Sequence, residues 1–248
     1  MNIRFNISMI FLIISLITLT GCEKLFFDDL SKTSRKTFNV DEFNRIKVYD
    51  SFNIILKQDT TFKVVIEGPA ELMDDFKCNV YGDTLQLTDS NIRNRIPNYK
   101  IPTAYIYFPE IHRFRMRAPG DIKVDGALNL DTFYMIIQQH TGTVNMDIYA
   151  NSLRITTGLN KSTGVYNISG EVQEARFWMR NACKLNAKNL KTQKTNIRHN
   201  ATNDSYINVT DKLEAELIDA SGNVYYKGSP DEIIITEQSG TGRLIPID

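Results

Sequence analysis

Three arginines alternate with other residues in one short stretch of the sequence. Arg113, Arg115 and Arg117 are separated by Phe114 and Met116. Because successive side chains of a β-strand point to opposite faces, this spacing puts three cations on one face of a strand. Such a row suits anionic sugars, lipid head groups or the carboxylates of a partner, and further cations precede it: Arg93, Arg95 and Lys100. The alternative, which the sequence favours, is an edge or outer strand that its charges keep soluble.

Acidic residues close to glycine turns indicate a second possible chemistry. Asp121, Asp125 and Asp147 all lie near such turns. Glycoside hydrolases cleave sugar bonds with pairs of carboxylates about 5 to 9.5 Å apart, so a carbohydrate-active enzyme is the alternative function class. Aspartate is also a common turn residue. Solvent-exposed turn aspartates are the favoured interpretation, because the equivalent positions of later units are not acidic: Val165, Tyr225 and Arg243.

Other functional classes have no support in the sequence. The 29 basic and 29 acidic side chains balance, so no overall field favours nucleic acid. The three histidines, His112, His140 and His199, are not spaced as metal ligands. Neither a Gly-x-Ser-x-Gly motif nor a phosphate-binding loop occurs. We therefore expect no catalytic residues, cofactor, metal or nucleic-acid partner.

The elements that would position these side chains follow a repeated pattern. A glycine or small polar residue followed by alternating apolar residues recurs along the chain, at Gly120, Gly142, Gly164, Cys183, Ser205, Gly222 and Gly242. The steps average about 20 residues, within the range of solenoid proteins. No capped amphipathic helix lies between the copies, so the pattern predicts an all-β fold of stacked coils. An antiparallel β-sandwich, which also has short strands between turns, is the alternative.

One domain is expected over residues 37–248, with nearly strict alternation from its start. The β-branched run Ile233–Thr236 predicts a strand buried on both faces. Pro69–Phe76 is the best short helix, with proline in its first turn.

Cys78 and Cys183 could pair in an oxidising compartment, but two separate buried thiols are the favoured interpretation.

The N-terminal residues have the features of a targeting segment. Arg4 precedes the apolar run Ile7–Leu19, which at about 13 residues is too short to span a bilayer about 30 Å thick. Leu19-Thr20-Gly21-Cys22 resembles the lipobox of bacterial lipoproteins. That resemblance implies a signal peptide over 1–21, cleaved before a lipidated Cys22, and the polar residues 22–36 then form a tether. Membrane contact through the lipid anchor is expected, in the bacterial envelope and at the outer membrane, with the periplasmic or surface side left open.

Several motifs resemble one known family. The segments Ala220–Pro230 and Ser239–Gly242, the turn Gly120–Ile122 and the opening Phe43-x-x-Ile46-x-Val48 are similar to the auto-transporter adhesin family with the head GIN domain. Its lipobox-bearing members are frequent in Bacteroidetes. The resemblance covers roughly residues 40 to 245. It implies a right-handed parallel β-helix-like solenoid without an established biochemical activity.

These observations favour a non-catalytic, lipid-anchored envelope protein. Stacked coils form ladders of like side chains, which suit adhesion, scaffolding or the binding of an extended ligand such as a glycan. The carbohydrate-active enzyme remains the alternative, and a module that senses or stabilises an envelope complex is a further one. The sequence leaves the partner and the oligomeric state open.

Overall fold

A computed structural model describes residues 32–90, 100–139, 141–158 and 162–248. The predicted signal peptide, Cys22, most of the tether, Arg93, Arg95 and His140 lie outside the described residues. Sixteen strands are present in this part of the chain: β1 (Thr33–Asn39), β2 (Arg45–Val48), β3 (Asn53–Gln58), β4 (Lys63–Pro69), β5 (Phe76–Tyr81), β6 (Thr84–Asp89), β7 (Thr103–Phe108), β8 (Arg113–Met116), β9 (Ile122–Val124), β10 (Leu128–Ile137), β11 (Thr141–Thr157), β12 (Thr163–Ala201), β13 (Ser205–Ala220), β14 (Val224–Lys227), β15 (Glu232–Gly240) and β16 (Leu244–Pro246).

The strands stack in parallel into two ladders that share the long strands β11, β12 and β13. Ladder A contains β7, β3 and β9 before the shared strands, and β14 and β16 after them. Ladder B contains β6, β2, β8 and β10 before them, and β15 after them. Paired residues in successive coils lie about 20 positions apart. The predicted β-solenoid is thus confirmed and the sandwich alternative is wrong.

Antiparallel pairs among the described strands occur only near the N-terminal end. There β1 pairs with β4, β4 with β7, and β5 with β6. β1 begins at Thr33, four residues before the expected start of the domain, because its alternating side chains pair with β4 from Thr33↔Pro69 onward.

The apolar alternation fills the interior with columns of stacked side chains. In ladder B, Phe114 pairs with Met135, Met135 with Ile155, and Ile155 with Phe177, and all four are buried. Their neighbours in sequence point outward, as the two-residue period of a strand requires. Since each buried side chain contributes roughly 1.5–3 kcal/mol, such columns hold the coils together.

Glycine occupies corners where coils approach closely. A Cβ atom on Gly170 would lie 2.1 Å from the Ile148 carbonyl oxygen of the preceding coil, and its φ of +111° disfavours other residues. Gly142 and Gly164 are aligned, as the repeat predicts. The copy assigned to Ser205 is wrong by two positions, because Ser205 pairs with Val224 and not with Gly222. Ser205 is a buried polar residue at an otherwise apolar position, where it meets His199.

Two further expectations need correction. The run Ile233–Thr236 is not buried on both faces: Ile233 is 43% and Ile235 49% exposed. Among the described strands, β15 pairs with β13 alone, so no further described coil packs against the exposed side chains of Ile233 and Ile235. The predicted short helix Pro69–Phe76 is wrong: only one 3₁₀ turn, Ala70–Leu72, is present, and Leu72 and Phe76 are buried. Cys78 and Cys183 are separate free thiols, Cys183 buried and Cys78 partly buried.

His199 introduces an ionisable group into the solenoid interior. It is fully buried, and its Nδ1 atom lies 3.2 Å from the Ser205 hydroxyl. Burial disfavours the charged imidazolium and lowers the pKa of His199 to about 4, against the opposing effects of the Gly222 backbone and Asp204. Because the unfolded chain protonates near its ordinary pKa of about 6.5, stability is fully present above that pH. We expect it to fall by up to about 3 kcal/mol as the pH drops from about 6.5 to about 4.

The variant His199→Leu tests this expectation. It removes the titrating group, so its free energy of unfolding should depend less on pH between 7 and 4 than that of the wild type. Urea denaturation at several pH values in this range gives the change of the free energy of unfolding with pH for each protein. The comparison holds whatever the absolute stability of the variant. Identical pH dependence in the two proteins would contradict the assignment.

Candidate functional site

The outward side of ladder B carries a regular array of cations, which we call the arginine face. One column of paired residues runs across five strands, from β2 to β12: Arg45, Arg113, Tyr134, Arg154 and Arg176. A second column, two residues further along each strand, runs parallel to it: Lys47, Arg115, Ile136, Thr156 and Trp178. Arg117 and Arg180 follow the second column by two residues, and Arg198 lies on the next pass of β12. The period of the coil thus brings cations from distant parts of the chain onto one surface.

Three aromatic side chains order these cations, and one of them, Tyr49, has the guanidinium carbon of Arg117 5.6 Å from its ring centroid. The Tyr134 ring has the guanidinium carbons of Arg113 and Arg154 each 5.3 Å from its centroid. The Trp178 ring has those of Arg180 at 3.4 Å and Arg198 at 4.8 Å. Cation–π contacts of this kind contribute roughly 0.5–2 kcal/mol. They also hold guanidinium groups in place without neutralising their charge.

Few of these cations have an acidic partner. Arg45 pairs with Asp83 at 3.3 Å and Arg198 with Glu216 at 3.2 Å. Within the described residues, no carboxylate lies within 4.0 Å of the other cations on the face: Lys47, Arg113, Arg115, Arg117, Arg154, Arg176 and Arg180. Burial, and then the charge of Arg198, lowers the pKa of Arg180. The face is therefore positive although the whole chain is neutral.

The charge changes sign along the ladder. Beyond β12, the outward positions of β13 and β15 hold Glu214, Glu216, Glu232 and Glu237. Lys212 bridges two of them, lying 3.2 Å from Glu214 and 3.1 Å from Glu232. The cationic part of ladder B thus ends where an acidic part begins. Most of the carboxylates in the acidic part have a partner of their own.

Two of the recesses on the arginine face lie among its cations. One, of about 340 Å³, lies around Tyr134 between Arg113, Arg154 and Arg176. The other, of about 470 Å³, has Ile136, Thr156 and Gly158 among its lining residues, with Arg117 and Arg180 at its margins. Both are shallow features of a long surface, of the size of small-ligand sites.

The predicted row of three arginines lies on β8 and directly after it. Arg113 and Arg115 point outward from β8, while Phe114 and Met116 are buried, and Arg117 follows exposed. β8 pairs with β2 on one side and β10 on the other, so the row does not protect an edge. Lys100 is exposed, and Arg93 and Arg95 lie outside the described residues.

The three aspartates have structural partners. The Asp125 carboxylate lies 2.5 Å from Lys57 Nζ, whose hydrogen bond lowers the pKa of Asp125. Asp121 accepts a hydrogen bond from the Thr143 backbone at 2.7 Å, and Asp147 accepts one from Ser169 at 3.4 Å. In the described part of the chain, no group of three or more His, Cys, Asp or Glu residues is arranged to hold a metal ion. Each of the three carboxylates thus contacts a residue of a neighbouring coil.

Sequence reasoning missed most of the arginine face. Arg45, Arg154, Arg176, Arg180, Arg198 and the aromatic Tyr134 and Trp178 were not singled out. A signal was present, because Arg154, Arg176 and Arg198 recur with the period of the coil. Recognising this recurrence as one surface required the register of the central coils.

The predicted lipid attachment residue, Cys22, lies outside the described residues. Among the residues that the structure does describe, no helix is long and apolar enough to span a membrane. The lipid anchor therefore stays a prediction from the sequence.

Similar folds occur in solved structures. A protein from Bacteroides fragilis, described as a putative adhesin, matches with a TM-score of 0.78 and 22% identity over 87% of this chain and 97% of its own. A protein from Parabacteroides distasonis, described as a putative lipid binding protein, matches with a TM-score of 0.63 and 16% identity over 88% and 97%. A putative adhesin from Parabacteroides merdae gives 0.61 and 16% over the same shares. At these identities the likeness shows the fold.

No match was found among curated proteins. The family model described as "Putative auto-transporter adhesin, head GIN domain" matches residues 42–230, which is most of the chain and includes the whole arginine face. The resemblance noted from the motifs is thereby confirmed, and the chain belongs to this adhesin family.

Proposed function

We propose that this protein is a non-catalytic, lipid-anchored envelope protein whose arginine face binds an extended anionic glycan. The observation that carries the proposal is the column of cations in successive coils, ordered by aromatic rings and largely without acidic partners. An array built only for solubility would need neither the regular spacing nor the aromatic contacts.

The geometry suits a polymer more than a small molecule. Neighbouring strands are about 4.8 Å apart, so the column from Arg45 to Arg176 covers about 19 Å. This step is close to the length of one sugar residue in an extended chain. Many weak contacts along one polymer add up, because each further contact is intramolecular once the first has formed.

Arginine also suits the chemistry of acidic sugars. Its planar guanidinium group donates two parallel hydrogen bonds to a carboxylate or sulfate. Tyr134 limits the motion of Arg113 and Arg154, which lowers the entropy cost of binding. A solenoid surface built from strands is also more rigid than one built from loops.

The anchor and location complete the proposal. The lipobox-like residues before Cys22 support lipidation of that cysteine and attachment to a membrane of the envelope, for which we propose the outer membrane. Membership of an adhesin family supports an envelope or surface location. The similar protein described as a putative lipid binding protein makes anionic lipid head groups a competing ligand to include in tests.

Replacing three arginines of one column tests the proposal. We expect the wild-type domain to bind sulfated or uronic acid polymers and to release them as salt increases, since exposed charges are screened. The triple variant Arg113→Gln, Arg154→Gln and Arg176→Gln should bind at least about tenfold more weakly, as expected for lost hydrogen bonds to charged groups. Surface plasmon resonance on immobilised glycans measures this loss.

A matched control removes the same charge elsewhere. Lys184, Lys188 and Lys191 are exposed and lie outside the arginine face. Their replacement by glutamine should change glycan affinity much less than the arginine triple. Equal losses in the two variants, or no polyanion binding by the wild type, would overturn the proposal.

A further inference from the structure

The larger recess on the arginine face is formed by a change in side-chain size along two columns. Ile136 and Thr156 lie in the middle of the second column, between the long side chains of Arg115 and Trp178. Gly158 lies two residues after Thr156, on the same outward side. A Cβ atom at this position would lie 3.0 Å from the Gln138 backbone. The short residues leave about 470 Å³ between larger neighbours.

The recess is long and has a cation toward each end. From the β8 level of Arg117 to the β12 level of Arg180 there are three strand steps, or about 14 Å. Gln138 and Gln139 line one side and provide amide groups. A carboxylate or sulfate at either end would meet a guanidinium group.

Arg180 is held in position to receive an anion. Its guanidinium group stacks on Trp178 at 3.4 Å and donates a hydrogen bond from Nη1 to the Thr157 carbonyl at 3.4 Å. The Arg180 backbone N–H donates to Thr157 Oγ1 at 2.9 Å, which fixes the main chain beneath it. Arg198 lies on the same tryptophan, and the two cations repel each other. An anion near Arg180 would offset that repulsion.

We propose that this recess is the specificity subsite of the arginine face, and that it takes a short segment of an anionic glycan through acidic groups bound at Arg180 and Arg117. The inference rests on the proposed glycan-binding function and deepens it. A carboxylate and a sulfate are equivalent to this chemistry. Two separated cations in a slot fit two acidic groups along an oligosaccharide better than the single phosphate of a lipid head group.

Blocking the recess without changing charge is the sharpest test. Thr156 points outward from β11, so Thr156→Trp fills the space much as Trp178 does on the next coil. We expect this variant to lose at least about tenfold in affinity for size-defined tetrasaccharides of chondroitin sulfate and oligogalacturonate, the size of a lost charged hydrogen bond. Asn145→Trp, on the outward side of ladder A, should bind these tetrasaccharides as the wild type does.

Charge variants separate the recess from the rest of the face. Arg180→Gln and Arg117→Gln should each weaken tetrasaccharide binding more than Arg154→Gln, which removes a cation outside this recess. Arg180→Lys should restore only part of the loss, because lysine lacks the guanidinium fork. Isothermal titration calorimetry gives the affinities, and circular dichroism with thermal melting confirms that each variant is folded.

The outcomes distinguish this inference from the proposed function. If the wild type binds long polyanions but Thr156→Trp and Arg180→Gln bind no worse than Asn145→Trp and Arg154→Gln, the recess proposal fails and the function stands. If the wild type binds no polyanion, both fail. Stronger binding to vesicles containing phosphatidylglycerol than to every glycan, with loss in Arg180→Gln, would overturn the glycan assignment in favour of lipid.

Discussion

Gly170→Ala is expected to destabilise the domain by about 4 kcal/mol, the sum of backbone strain and overpacking that typically cost about 1–3 kcal/mol each. The new Cβ atom would lie 2.1 Å from the Ile148 carbonyl oxygen and 2.8 Å from its carbon. Both are backbone atoms of the neighbouring coil, so relief requires the coils to separate. The φ of +111° adds strain for any residue with a side chain. Urea denaturation followed by circular dichroism measures the loss.

Gly82→Ala is the matched control for this prediction. Gly82 also has a positive φ, +61°, but a Cβ atom there would meet no other atom within 4 Å. It lies in the turn between β5 and β6, so only the left-handed backbone opposes alanine, at a cost of roughly 1–2 kcal/mol. If both variants lost the same stability, close stacking of the coils at Gly170 would not be what excludes a side chain.

Cys22→Ala is expected to move nearly all of the protein from the membrane fraction to the soluble fraction. Lipid chains on one cysteine supply the membrane affinity, since each buried methylene contributes about 0.8 kcal/mol and two or more chains give firm attachment. Ultracentrifugation of lysed cells, followed by detection of the protein in each fraction, gives the result.

Cys78→Ala provides the control for the anchor. Cys78 is a free thiol in the folded domain, and its pKa is raised to about 12 by burial, so it is a poor nucleophile. Loss of this thiol should leave the protein with the membranes. Continued sedimentation of Cys22→Ala with membranes, after a salt wash that removes peripheral proteins, would refute lipidation at Cys22.

Much of the fold was predictable because it depends on local patterns that repeat. Glycines such as Gly142 and Gly164 align in neighbouring coils, and the apolar alternation after each one gives a buried strand. A two-residue error at Ser205 did no harm to the assignment of faces, because strand alternation has a period of two.

What failed depended on contacts between coils. The apolar run at Ile233 has the composition of a buried strand, yet its burial depends on whether another coil covers it. The arginine face depends on the pairing of Arg113 with Tyr134 and of Arg154 with Arg176. Which residues pair depends on the length of each coil, and coil lengths vary by a few residues. Composition does not reveal these lengths.

The reversal of charge along ladder B gives this neutral molecule an electric dipole. Near a charged surface such a body experiences a torque, so it turns one side toward the surface before contact. Its cationic coils, from β2 to β12, will face an anionic surface and its glutamates will face away. Capture from solution should therefore become slower as added salt shortens the screening length, although the net charge of the chain is zero.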